Sequence, residues 1–85
     1  MYWYHTKKQT SGTMTLWSNA RTIGGIKDML TAQAKHWPKD FEGEVLVRVV
    51  KGKPKFNQKT HAYYIFRDNT LVKQDYTDLS HWFDM

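Results

Sequence analysis

The stretch from Glu44 to Arg67, EVLVRVVKGKPKFNQKTHAYYIFR, limits most what this chain can become. Two runs rich in β-branched and aromatic residues, 44–50 and 61–67, flank a loop carrying Lys51, Lys53, Lys55 and Lys59. Side chains alternate across a strand with a period of two. Val45, Val47 and Val49 therefore oppose Leu46, Arg48 and Val50, while Ala62, Tyr64 and Phe66 oppose Tyr63, Ile65 and Arg67. This is the pattern of a hairpin that buries one face fully and the other in part. No acidic residue occurs between Glu44 and Asp68, so the surface this unit offers to solvent has a single sign. Its natural partner is a polyanion.

The chain has 85 residues, enough for one domain with one small core and no separate catalytic domain. The net charge of +5 is unevenly spread. Residues 1–67 hold twelve basic and four acidic side chains, whereas 68–85 hold one basic and four acidic, so the tail is the acidic end of a basic protein. Nucleic acid, an acidic protein surface and an anionic membrane all answer such a charge. The absence of cysteine excludes disulfides and thiolate metal sites. The opening residues, MYWYHTKK, lack the apolar run of a signal peptide, and no stretch approaches the length of a membrane span. The expectation is a cytoplasmic protein that does not engage a membrane.

Along the chain, residues 1–7 read as a strand with Tyr2 and Tyr4 on one side and Trp3 and His5 on the other. Polar residues ending in Gly12 form a turn, and residues 13–17 are expected to return as a second strand. Ser18 or Thr22 then caps a helix whose face is marked by Ile23, Ile26, Leu30, Ala34 and Trp37, with Met29 beside them, and Pro38 ends it. Residues 39–43 connect to the basic hairpin. Asp68 and Asn69 tolerate positive φ and make a two-residue turn into a last strand over 70–76, after which Leu79, Trp82 and Phe83 either form a short helical turn or pack back irregularly. The order is ββαβββ, an α+β domain with a mostly antiparallel sheet and one helix across a face. A single helix cannot cover five strands, so the other face is exposed, ligand-bound or buried in a homodimer.

Gly24 and Gly25 weaken the helix, since glycine costs about 1 kcal/mol relative to alanine at each position. They serve either a close helix–sheet contact or the approach of phosphate oxygens to the helix N-terminus beside Arg21 and Lys27. No Walker or dinucleotide spacing accompanies them.

The lysine loop is the stronger signal for function. Lysines 51, 53, 55 and 59 supply cations, and Phe56, Asn57 and Gln58 interleave a ring and two amides, the pairing that single-stranded nucleic acid requires. The opposing reading is a solubilising loop, which ordinarily mixes charges of both signs. Tyr63 and Tyr64 face opposite ways, so one is core and the other is a candidate stacking platform. The RNP motifs and βαββαβ order of an RRM are missing. The expected nucleic-acid-binding set is Arg48, Lys51, Lys53, Lys55, Phe56, Lys59, Tyr63 and Arg67, widened by Lys7, Lys8 and Arg21.

The histidines, His5, His36, His61 and His81, have no ligand spacing, so no metal and no cofactor are expected. One catalytic alternative is a metal-independent ribonuclease with His61 as acid or base, Glu44 as its carboxylate and Arg48, Lys59 or Arg67 on the phosphate.

A short, cysteine-free, Trp- and Tyr-rich basic chain opening MYWYHTKK and built around KGKPKFNQK resembles the small early proteins with which T-even-type bacteriophages disarm host defences. Among these, it is similar in size and character to RNA-binding inhibitors of toxin–antitoxin ribonucleases. The resemblance implies RNA binding and an antidefence role and transfers no functional residue. The expected function is therefore non-enzymatic RNA binding. The alternative is a protein–protein inhibitor that seats the basic hairpin on an acidic face of a host protein.

Overall fold

The computed structural model describes residues 1–8, 17–37, 44–55 and 58–75. It is an α+β fold, with one helix packed against a five-stranded antiparallel sheet. The elements are β1 (Tyr2–Lys7), β2 (Ser18–Ala20), α1 (Ile23–Ala34), β3 (Val45–Lys51), β4 (Ala62–Arg67) and β5 (Thr70–Gln74). Their order across the sheet is β2-β1-β3-β4-β5.

Alternation decides which residues meet the helix. The register Tyr4↔Val49, Val49↔Ala62 and Val45↔Phe66 places these side chains on one face, where Tyr4, Val45, Val47, Val49 and Phe66 are buried with Ile26 and Leu30 of α1. Burying a side chain such as Ile26 or Leu30 contributes about 1.5–3 kcal/mol. Ile23, Ala34 and Trp37 pack at the margin, so the helical face read from spacing is the face that docks. Met29 is exposed. Trp37 meets the Phe66 ring edge-on, with centroids 6.0 Å apart. The buried Tyr4 ring keeps its hydroxyl partnered by accepting from Gln33 Nε2.

Thr22, not Ser18, caps the helix, its Oγ1 accepting from the Gly25 N–H at 2.9 Å. Gly25 explains half of the glycine pair. A Cβ there would lie 3.2 Å from Thr22 Oγ1, tight against the capping hydroxyl, and 3.5 Å from the Ala20 Cβ, an ordinary contact with β2. At Gly24 the nearest atom would be an ordinary 3.9 Å away.

The second strand differs from expectation. β2 is Ser18–Ala20, pairing Ala20 with Tyr2 and Ser18 with Tyr4; of residues 13–17, only Trp17 lies in the described part, and it precedes the strand. Ser-Asn-Ala has little β propensity to betray it, and its buried Ala20 lies against the helix start at Gly25. The Asp68-Asn69 turn is as read, both residues having positive φ, 51° and 61°. Helix α1 ends at Ala34 with Lys35 as its C-cap, so it stops short of Pro38 and Trp37 lies beyond it, and the last strand ends at Gln74 and not at 76; the connection over 39–43 and the packing of Leu79, Trp82 and Phe83 lie outside the described residues, as do Phe56 and Asn57.

On the face away from α1, Leu46 and Val50 are as buried as the core, at 2% and 1% exposure. Leu46 packs against Tyr63 and Ile65. This face is therefore better covered than the strand pattern suggests, although Val72 on β5 remains 55% exposed.

Candidate nucleic-acid interface

The β3–β4 loop is built from its own polar side chains. Gly52 turns the chain at φ 75°, and its N–H donates to the Met1 carbonyl. Gln58 closes the turn: its Nε2 donates to the Lys51 carbonyl at 2.6 Å, and its Oε1 accepts from the Lys55 N–H at 2.9 Å. Arg48 holds the returning arm from below, donating through Nε to Thr60 Oγ1 at 2.6 Å and through Nη2 to the Gln58 carbonyl at 2.9 Å. These bonds fix the loop backbone while Lys51, Lys53, Lys55 and Lys59 stay exposed around it.

Three further positions join this end of the sheet. Arg21 follows Ala20, which shares a row with Tyr2 and Lys51 across β2, β1 and β3, so an exposed cation stands beside the loop two strands away. Lys73 and Asp75 arrive at the end of β5, which returns antiparallel beside β4. Arg21, Lys51, Lys53, Lys55, Lys59 and Lys73 thus collect at one end of the sheet, where Asp75 is the described carboxylate. Lys73 was absent from the sequence reading, because only the antiparallel return brings it there.

The remaining expected residues lie elsewhere. The far end of β3 is roughly 20 Å away, at about 3.4 Å per residue. There Arg67 pairs with Glu44 at 3.3 Å and Asp68 at 3.6 Å, and Lys8 Nζ donates to the Glu44 carbonyl at 3.2 Å. Lys8 is buried, and Lys7 stands opposite Leu46 at that same far end. Lys7 and Lys8 therefore do not widen the loop patch; Arg21 does. Arg48 lies under the loop as its anchor, and Tyr63 stands on the sheet face beside it, opposite Arg48 in register.

Behind Arg48 is a ring system. The His5 and Trp17 rings stack, and the Arg48 guanidinium lies 5.8 Å from the Trp17 centroid. Burial first, and the Arg48 charge second, hold His5 down to about 4, so it is neutral at pH 7.

The geometry separates the residues of the catalytic alternative. Glu44 belongs to the Arg67 end of β3, whereas His61 belongs to the loop end, its ring 5.5 Å from that of Tyr2. No group of three or more metal-ligating side chains occurs among the described residues. No described helix is long and apolar enough to cross a membrane. No protein-family model matches the chain, and comparison with curated proteins and with solved structures finds no match either.

Proposed function

We propose that this chain is a non-enzymatic RNA-binding protein whose interface is the lysine end of the sheet. The observation that supports it is the gathering of Arg21, Lys51, Lys53, Lys55, Lys59 and Lys73 around a loop held by Gln58 and Arg48. A surface of exposed cations with one carboxylate among the described residues neutralises consecutive phosphates and releases their counterions, which makes affinity strongly salt-dependent and only weakly sequence-selective. With four to six phosphates neutralised, the log–log salt slope on single strands is roughly −3 to −4. Fluorescence anisotropy with labelled RNA at several salt concentrations tests this, and the reading fails if no RNA binds at low salt. The biological setting in this reading is the cytoplasm of a bacterial host, where the protein inhibits a defence system or a toxin–antitoxin ribonuclease, as its resemblance to small early phage proteins suggests.

A second reading has a specific feature in its favour. Val72 is exposed on the face that also carries Trp3, Trp17 and Tyr63, so apolar anchors lie beside the basic end. In that case the protein docks on an acidic host protein. Pull-downs with and without ribonuclease separate the two: partners that survive digestion bind by direct protein contact. The same face, or the β5 edge, would also join two copies in a homodimer and place two lysine loops on one RNA. Sedimentation equilibrium at micromolar concentration decides that, and a monomer mass rules the dimer out.

A further inference from the structure

β5 is the last strand of the sheet, and among the described residues no strand pairs with its outer edge. The Asp68-Asn69 turn fixes which backbone groups lie on that edge. A two-residue turn closes with a bond between the residues that flank it, so Arg67↔Thr70 is a hydrogen-bonded pair, and alternation makes Ile65↔Val72 and Tyr63↔Gln74 hydrogen-bonded pairs as well. Leu71 and Lys73 therefore turn their N–H and C=O groups outward. Val72 stands between them, exposed on the face away from α1, where its cross-strand neighbour Ile65 packs against Leu46.

We infer that this edge takes β5 of a second copy, antiparallel and centred on Val72, so that two sheets join as one. This assignment rests on the homodimer reading, takes the edge instead of the sheet face as its surface, and is independent of RNA binding. Backbone pairing, side-chain burial and charge all select the register. Around Val72, Leu71 faces Lys73 of the second copy and Lys73 faces its Leu71, so every outward N–H and C=O of these residues finds a partner. The two Val72 side chains become a non-hydrogen-bonded pair, the closer kind, and bury each other beside Ile65 of each copy. Lysine on a short edge strand ordinarily discourages pairing. A register centred on Lys73 would indeed set two ammonium groups directly opposite, whereas the Val72 register lays each lysine stem against Leu71 of the other copy. A register centred on Leu71 would set Lys73 against Asn69, where positive φ ends the strand. The two-fold axis runs perpendicular to the sheet, so the lysine ends point in opposite directions and an RNA that engages both must run across the joined sheet.

Sedimentation equilibrium of the whole chain at micromolar concentration reads the mass, and single cysteines read the register, since the chain has none of its own. The wild type should have a dimer mass. Val72→Lys sets like charges face to face, and Lys73→Pro removes an outward N–H and none that bonds β4; both should be monomers with a folded circular-dichroism spectrum. Val72→Cys should form a disulfide-linked dimer on mild oxidation, because the Cα atoms of a non-hydrogen-bonded pair lie about 4.5 Å apart. Thr70→Cys, on the same face, should not, since this register places it on the order of 14 Å from its counterpart. If Val72→Lys or Lys73→Pro loses its fold, the cysteine pair decides alone. A monomeric wild type overturns the edge pairing together with the homodimer reading and leaves RNA binding standing. A dimer that persists in folded Val72→Lys and Lys73→Pro, or that cross-links through Thr70→Cys and not through Val72→Cys, overturns the edge pairing alone.

Discussion

His5 and Trp17 stack face to face, their ring centroids 4.0 Å apart and their planes 10° from parallel. The stack covers a ring that sits directly across β1 and β3 from the Arg48 cation, and together these contacts keep the imidazole from taking a proton. Its folded-state value of about 4 lies below the ordinary 6.5, so between these values the unfolded chain binds more protons at this site. The site therefore leaves stability unaffected above pH 6.5 and erodes it as pH falls from 6.5 toward 4. Thermal melts at pH 7 and pH 4.5 should show a lower midpoint at the acid value, a difference that His5→Gln reduces. A His5 titration midpoint near 6.5 by NMR would contradict this.

Arg48 is a structural tether before it is anything else. Arg48→Ala removes bonds to Thr60 and to the Gln58 carbonyl, and should cost about 1–3 kcal/mol in urea denaturation. Arg48→Lys should recover little, because an ammonium cannot reproduce a planar fork that reaches two acceptors at once. Hydrogen exchange at the His61 N–H, which donates to Val49 near this anchor, should accelerate in both variants.

The two helix glycines should respond differently to alanine. Gly24 has room for a Cβ, so Gly24→Ala should raise stability by about 0.5–1 kcal/mol. Gly25→Ala gains the same helical propensity but presses on the capping hydroxyl of Thr22, so its net gain should be smaller or negative. Chemical denaturation of both variants checks the order. A larger gain for Gly25→Ala would mean that the cap yields without cost.

Neutralising the loop should act on binding and not on folding. Replacing Lys51, Lys53, Lys55 and Lys59 with glutamine should flatten the RNA salt slope by about 0.7 per lysine and leave the melting midpoint near that of the wild type, since their side chains are exposed. Arg67→Gln, at the opposite end and paired with Glu44 and Asp68, should change the slope little. Equal slopes for the loop variant and the wild type would place the RNA elsewhere.

The helix, the hairpin around the lysine loop and the faces of its strands follow from local pattern alone. Periods of two and of three to four come directly from backbone geometry, and Ile26, Leu30, Val45, Val47 and Val49 obey them wherever they sit. The lysine loop and the Asp68-Asn69 turn were legible for the same reason, being set by neighbouring residues. What each cation does depends on contacts between strands distant in the chain. Arg48, Arg67 and Lys8 look like the loop lysines in the sequence, yet one anchors the loop, one pairs with Glu44, and one is buried against a carbonyl. Lys73 and Arg21 reach the loop end of the sheet because β5 returns beside β4 and β2 beside β1. Charge interactions depend on distance through space, which strand order fixes and composition does not.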